Sequence, residues 1–587
     1  MSKFSNWTKS VLLFHEPKKK DEGFILEETP REKKYMEEEK IQESPELKRK
    51  NDGAFIKKVF HKENDGDNKK EQSGPKKGDI SKRLSDNMDY IKKAYTIPTN
   101  GDIILREFDI IIKSKAIPAF IVFFDGMTDR KVINDNILQP LMFLADPDIK
   151  GDEKSISDYI MTHILPHNQV NEVKEYEKVI DEVNFGGCGL FIDGIDSAFA
   201  ADVKGWEHRG VERPNTELVI RGPQEGFTEI LRANTALIRK RMKDEDLIVE
   251  NIEVGRRSKT PCSILYVKDI VNDSLVKEVR RRIKSIKVDY LSDSGELEQF
   301  IEDSTFIPAP QIIATERPDR VASMLEDGKV AVIVNGSPFA LVLPTTFHEF
   351  IHSSEDAFLR FPYANMLRFV RIVALITSLL LPGLYIAITN FHQEMIPTDL
   401  LIAIEAAREK VPFPSVVEIL MMEFSFELIR EAGIRIPGPI GPTLGIVGAL
   451  ILGQAAVAAN IVSPILIIVV AVTGIGSFAI PNFALSFAFR VLRFGYIILG
   501  AIAGFLGITA GLFFQGIWLV RSKSFGVPFM VPFGPKTVGG FVDAITRGPI
   551  WQQEKRPDYM NTKDSSKQPE ISRGWIKKDT EDRDEGK

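Results

Sequence analysis

One stretch of this sequence, between residues 372 and 520, limits the possible folds more than any other, because apolar residues dominate it over lengths that soluble cores rarely contain. Residues 372–388 are apolar apart from Thr377, Ser378 and Tyr385. With the lead-in from Asn365 they reach the roughly 20 residues that a bilayer core requires. Gly, Ala, Leu, Ile and Val then dominate 443–459, a second such run fills 461–480, and 494–520 is the clearest span of all. Spans are therefore expected at about 366–389, 443–459, 461–480 and 494–520. Pro382 and Pro464 fall inside these segments, where each frees a backbone carbonyl that a neighbour must satisfy. Gly500 with Gly504 and Gly507 with Gly511 have the GxxxG spacing that lets helix backbones approach, so these four glycines are candidates for helix packing.

Two segments between the first and second spans have a different texture. Residues 397–410 and 415–431 are amphipathic, and the second carries Glu418, Glu423 and Glu427 beside Leu420, Met421, Met422 and Phe424. One reading is a helix lying at the membrane interface or packing on the helical bundle. The other is a gating element or carboxylate ring on a cation path. Arg368 and Arg371 precede the first span, and Arg521 and Lys523 follow the last, which puts both ends on the cytoplasmic side. Arg490 and Arg493 would then lie on the opposite side, unless they are buried among the helices or a further segment crosses. Gln454, Val457, Asn460 and Val462 lie on or beside one span and are candidate pore-lining residues.

The remainder reads as soluble. Residues 1–86 are mostly Lys, Glu, Asp, Asn and Gly, a mixed-charge tail expected to be disordered, with too few apolar residues for a core. The apolar run at 11–14 is too short for a signal peptide, so the soluble part is expected to be cytoplasmic. From residue 84 the chain alternates short strands with helices. Strands are expected at 102–112, 117–124 and 188–192, with helices at 85–94, 133–144 and 156–164. A second unit begins near 216, with a helix at 227–242, strands at 247–254 and 263–267, and a basic helix at 273–286. Strands at 329–334 and 339–343 follow, joined by the Asn335-Gly336 turn. The expected fold class is thus multidomain. Two α/β subdomains (87–215 and 216–345) precede a helical membrane domain (361–520) and a polar C-terminal tail (521–587).

Composition excludes several functions. With 76 basic and 82 acidic residues, a net charge of -6 gives no electrostatic case for nucleic acid as partner. Two cysteines, Cys188 and Cys262, make no disulfide framework and no CxxC metal motif. His348-Glu349-Phe350-Ile351-His352 matches HExxH, the helical zinc-protease pattern. It has no evident third ligand and sits at a juncture before the first span, so it reads as coincidence. Residues 185–189 are Gly-rich but lack the P-loop and Rossmann spacings. No catalytic residue, cofactor or metal is expected, and the chain reads as a non-enzyme.

A series of motifs carries a family resemblance. It includes Leu381-Pro382-Gly383-Leu384-Tyr385, residues 391–397, Val411-Pro412-Phe413-Pro414, Met422-Glu423, Phe426-Glu427 and residues 430–435. Residues 445–448, 453–457 and 462–464 continue it. In the soluble part it takes in residues 221–227, 234–241, 315–320 and 335–339. Over roughly 86–547 the chain resembles the A subunit of the GerA-type spore germinant receptors of endospore-forming bacteria. The resemblance implies a multi-pass subunit in the spore inner membrane, acting with a transporter-like B subunit that binds nutrient and a lipoprotein C subunit. It also implies a homo-oligomer that forms a nutrient-gated channel releasing monovalent cations. The alternative is a non-conducting scaffold that couples the nutrient-binding partner to a separate channel.

Overall fold

The structure, a computed structural model, describes Leu26 and residues 79–568, except 113–114, 144–156, 158–159, 161–169, 206–212, 215, 436–447, 449–450 and 538–542. The helix expected at 156–164 and much of the span expected at 443–459 lie outside the described residues.

Two five-stranded sheets form the soluble part, and both have the same strand order. In the first unit, β1 (Ile103–Ile112) and β2 (Lys115–Phe124) form a hairpin. The sheet continues through β4 (Cys188–Ile192) and β5 (Ala198–Ala201) to β3 (Val170–Val173) at the far edge. In the second, β6 (Leu247–Val254) and β7 (Thr260–Val267) form the hairpin, followed by β9 (Val330–Val334), β10 (Ala340–Leu343) and edge strand β8 (Ile313–Thr315). Every pairing is antiparallel. The strand–helix alternation is present, but its crossovers lead to antiparallel neighbours, a pairing that alternation alone does not exclude.

Each sheet is buried on both faces, which explains continuous apolar strands such as Val330–Val334. In the first unit one face packs under α1 (Leu84–Ala94) and α2 (Tyr176–Asn184) through Ile91, Tyr95, Val179 and Phe191. The other packs under the helical stretch 130–143 through Ile133, Ile137 and Leu141. Residues 79–83, read as tail, join this unit: Asp79 bridges to Glu175 and Ile80 is buried. In the second unit α3 (Leu231–Arg241) and α6 (Pro318–Glu326) cover one face, and α4 (Asp273–Ser285) and α5 (Ser294–Ile301) the other. α3 starts at Leu231, not 227, because Asn234 holds the preceding strand-like turn, accepting from Thr228 N and donating to Thr228 O. Arg239 links the units. It is 2.6 and 2.9 Å from the Asp102 carboxylate, bonds Asn100, and lies 4.0 Å over the Phe124 ring.

The helical part begins at α7 (Phe361–Phe391) and continues through α8 (Thr398–Arg408), α9 (Ser415–Arg435), α10 (Pro464–Phe478) and α11 (Phe483–Arg521). α7 and α11, with 31 and 39 residues, are long and apolar enough to cross a membrane. Pro382 is inside α7, but Pro464 is at the first turn of α10, where its missing N–H costs nothing. The span expected at 494–520 is not one helix. Ala503 and Gly504 leave helical geometry, and Gly504 has φ +56°. The Tyr496 hydroxyl then bonds Gln515, residues that a continuous helix would hold nearly 30 Å apart. α11 is therefore a hairpin with arms 483–502 and 505–521.

The last segment corrects the reading of 521–587 as a tail. Lys523–Ser524 pairs with Val527–Pro528, and Phe525, Val527, Phe529 and Val531 are all buried. Phe525, Val527 and Met560 enter the core of the second unit. The described residues of this strap, 522–537 and 543–568, add to that unit through Phe525, Val527 and Met560 and contact the start of α7 through Asp543 and Arg547.

Candidate functional site: charged pairs within the helical part

α9 carries its carboxylates inward. Glu418 is fully buried and accepts from the backbone N–H of Ser463 at 3.0 Å, with Arg408 Nε 3.8 Å away. Glu423 is 3% exposed and pairs with Arg493 at 2.6 Å. The same guanidinium donates to the Ser378 carbonyl and hydroxyl on α7, so one side chain joins three helices. Glu427 pairs with Arg490 at 2.5 Å and Arg430 at 3.6 Å. The three carboxylates thus form a ladder, each opposite a guanidinium of the same chain. Arg490 and Arg493 are buried in it, which accounts for positive charge where flank rules placed none. Ionised groups among apolar helices require such pairing, because an unpaired charge there costs several kcal/mol.

Contacts fix the direction of each helix. Ser378, Gly383 and Phe391 of α7 meet Arg493, Gly500 and Gly504, so α7 and the first arm of α11 run parallel, away from the soluble units. α9 starts beside Asn390, through Ser415, and ends with Arg430 on Ser477 near the soluble side. It therefore runs antiparallel to α7 alongside the stretch from about Ser378 to Asn390. Of the two placements read for 415–431, a position at the interface assumed solvent for its glutamates, whereas packing on the bundle accords with the burial of Glu418 and Glu423; the arginines opposite them are distant in sequence.

The candidate packing glycines sit at close approaches. A Cβ on Gly500 would lie 2.6 Å from the Gly383 carbonyl oxygen, and one on Gly383 would lie 2.7 Å from that of Tyr496. Gly504 makes the hairpin bend. A Cβ on Gly507 would strike the Leu499 carbonyl, and one on Gly511 would meet the Leu499 and Tyr496 side chains across the hairpin. The candidate pore residues are dispersed. Val462 is buried against Ile386, Ile419 and Leu466, Val457 is half-buried, and Gln454 and Asn460 are exposed. Asn460 takes the left-handed conformation, φ 55°, at the end of the helix 451–458.

The HExxH residues make structural contacts. Glu349 closes a capping box on Thr346 and pairs with Lys329 at 2.5 Å. Burial opposes its ionisation, but the Lys329 ammonium outweighs that and keeps its pKa below the usual value. His348 and His352 contact the carbonyls of Val531 and Ala544. Burial lowers both imidazole pKa values, and Arg368 lowers that of His352 further. The segment 315–320 gathers the loop before α3: Thr315 and Arg320 bond Glu217, and Arg317 bonds the carbonyls of Glu217 and Pro223. Among the described residues no group of three or more His, Cys, Asp or Glu side chains is placed to hold a metal ion.

Residues 89–559 match the Bacillus/Clostridium GerA spore germination protein family. The chain is similar to spore germination protein KA of Bacillus subtilis (strain 168), 39% identical over 86% of this chain and 93% of that one. It is also similar to the uncharacterized membrane protein YfkQ of the same organism, 37% identical over 81% and 91%. Among solved structures it resembles the N-terminal domain of the A subunit of the Bacillus megaterium spore germinant receptor GerK3. That match is 32% identical, with a TM-score of 0.36, over 46% of this chain and 97% of that one. The chain belongs to the GerA spore germination protein family.

Proposed function

We propose that the chain is a germinant receptor subunit embedded in the spore inner membrane, which oligomerises into a nutrient-gated path for monovalent cations. Family membership supports the receptor role, and two helices are compatible with membrane association. In this reading α7, α9, the helix ending at 458, α10 and the two arms of α11 make six crossings, with both soluble ends cytoplasmic. Relative to the four spans expected from the sequence, this reading adds α9 and splits the last span in two. A transporter-like B subunit and a lipoprotein C subunit complete the receptor.

The observation that carries the channel reading is the exposure of Gln454 and Asn460 on an otherwise apolar segment. Amide groups in lipid require a polar partner or a water-filled path, and further copies of the chain would provide either. The Glu418 and Val462 positions favour a second reading. Both are buried within one chain, as a non-conducting scaffold requires. Flux of K+ through the purified chain in liposomes separates the two. The channel reading expects flux that rises when Val457→Ala widens the half-buried position. Absence of flux in both would leave the scaffold.

A further inference from the structure

A cleft of about 480 Å3 lies between the second soluble unit and the helices, and five arginines line it: Arg317, Arg320, Arg371, Arg430 and Arg490. They come from three parts of the chain. Arg317 and Arg320 stand on the start of α6, Arg371 on the first turns of α7, and Arg430 and Arg490 on α9 and α11. Glu217 is the one carboxylate among the lining residues.

The guanidinium groups keep donors in reserve. Arg317 is used structurally, on Glu217, Pro223 and Asp319. The others are not saturated. Arg371 bonds Asp356 through Nη1 alone, and Arg490 bonds Glu427 through Nη1 alone. Arg490 has a side chain 6% exposed, and its Nε is buried without a hydrogen-bond partner. Glu427 is shared by Arg490 and Arg430, so one carboxylate faces two cations. A buried unpartnered guanidinium N–H is costly, and a tetrahedral oxyanion with several acceptors answers that geometry.

The rim has a second character. Leu218 is 71% and Ile220 92% exposed on the soluble side, and Phe478 and Phe483 are 74% and 63% exposed on the helical side. Leu218, Phe478 and Phe483 line the same cleft. Arginines flanked by exposed apolar side chains, where apolar helices meet a soluble domain, suit a phosphate at the level of lipid headgroups.

We infer that this cleft binds a phosphate group, held by Arg320, Arg371, Arg430 and Arg490 between the second soluble unit and the helices. An anionic phospholipid headgroup and a free phosphate share this chemistry. Because one ligand would bridge Arg320 with Arg430 and Arg490, its occupancy stiffens the joint between the soluble and helical parts. The inference rests on the membrane placement proposed above but not on conduction, and its test reads binding without ion flux.

The test uses the full chain, purified in detergent or in nanodiscs. Lipid retained by the protein is counted by native mass spectrometry, with phosphatidylglycerol against phosphatidylcholine, and the unfolding midpoint is followed with added inorganic phosphate. Arg430→Gln is compared with Arg430→Lys and with Arg257→Gln, whose side chain is 81% exposed on a distant turn. The expected result is preferential retention of phosphatidylglycerol, about fivefold weaker in Arg430→Gln and largely restored in Arg430→Lys. If inorganic phosphate alone raises the midpoint in an Arg430-dependent way and the two lipids are retained equally, the phosphate site stands and its source is soluble. Equal retention of both lipids with no effect of phosphate overturns the inference. So does an equal loss in Arg257→Gln and Arg430→Gln. An Arg430→Gln protein that does not fold moves the comparison to Arg371→Gln, read in the same way.

Discussion

The two soluble units share a strand order but differ in what completes them. The first covers its sheet with helices from its immediate sequence neighbourhood. The second does the same and then takes Phe525, Val527 and Met560 from beyond the last helix. One topology has therefore been put to two uses. The first unit is attached to the second through the ion pairs Arg239–Asp102 and Arg232–Asp125 and through the bond from Gly101 N–H to the Val249 carbonyl. The second is attached to the helical part at both of its ends, through the link into α7 and through the strap. Any displacement of the helices is expected to reach the second unit first and the first unit only through the contacts between the two units.

This asymmetry can be tested by asking how far a local perturbation travels. The largest effect is expected for Arg493→Ala, which strands Glu423 in a buried apolar setting and costs about 3–5 kcal/mol. Hydrogen exchange should show loss of protection in the helices and the second unit, with the first unit unchanged. Equal loosening of both units would break the comparison. Phe525→Ala and Phe191→Ala each remove a buried ring, at a cost of about 3–5 kcal/mol. Phe525→Ala should loosen the second unit and the ends of α11, whereas Phe191→Ala should stay within the first unit. Arg239→Ala leaves Asp102 buried without its cation, at about 3 kcal/mol. It should weaken the coupling between the two units and split or broaden the calorimetric transition; an unchanged single transition would show that the remaining contacts, Arg232–Asp125 among them, suffice to couple them.

Smaller effects sharpen the picture. Gly504→Ala places a Cβ at φ +56°, which costs about 1–2 kcal/mol, and brings it against Phe391 and His392. The unfolding midpoint of the detergent-solubilised chain should fall modestly. An unchanged midpoint would mean that the bend does not need glycine. Glu298, on α5 of the second unit, has its pKa raised by burial to about 7, with Glu302 adding to the rise. The folded state then holds a proton that the unfolded state releases from about pH 4.5 upward. Stability is lost as pH rises through this window. Glu298→Gln should raise the unfolding midpoint at pH 8 and make little difference at pH 4, where both states are protonated. A gain that persists at pH 4 would point to packing instead of charge.

Much of the fold was legible because its signals are local. The strands Leu247–Val254 and Val330–Val334 and the Asn335-Gly336 turn come from apolar runs and turn chemistry, which need no knowledge of distant partners. The helical part was legible as composition but not as path. Gly504 belongs to a GxxxG pair, and that spacing says nothing about whether a glycine packs a helix or bends it. The role of α9 was hidden because Glu423 and Arg493 are 70 residues apart, and a carboxylate on an apolar helix reads as solvated until its cation is known. The strap did leave a signal. Phe525, Val527, Phe529 and Val531 alternate as a half-buried strand does, but the surrounding Gly and Pro residues gave the segment the texture of a tail.

The hairpin at Ala503 and Gly504 has a mechanical consequence. By sending the chain back along its own first arm, it delivers Arg521 to the same side from which Phe361 set out. The second unit is thus held like a beam clamped at both ends. It can transmit torque between the two attachment points, but it cannot drift away from the helices, even if either attachment alone were to loosen.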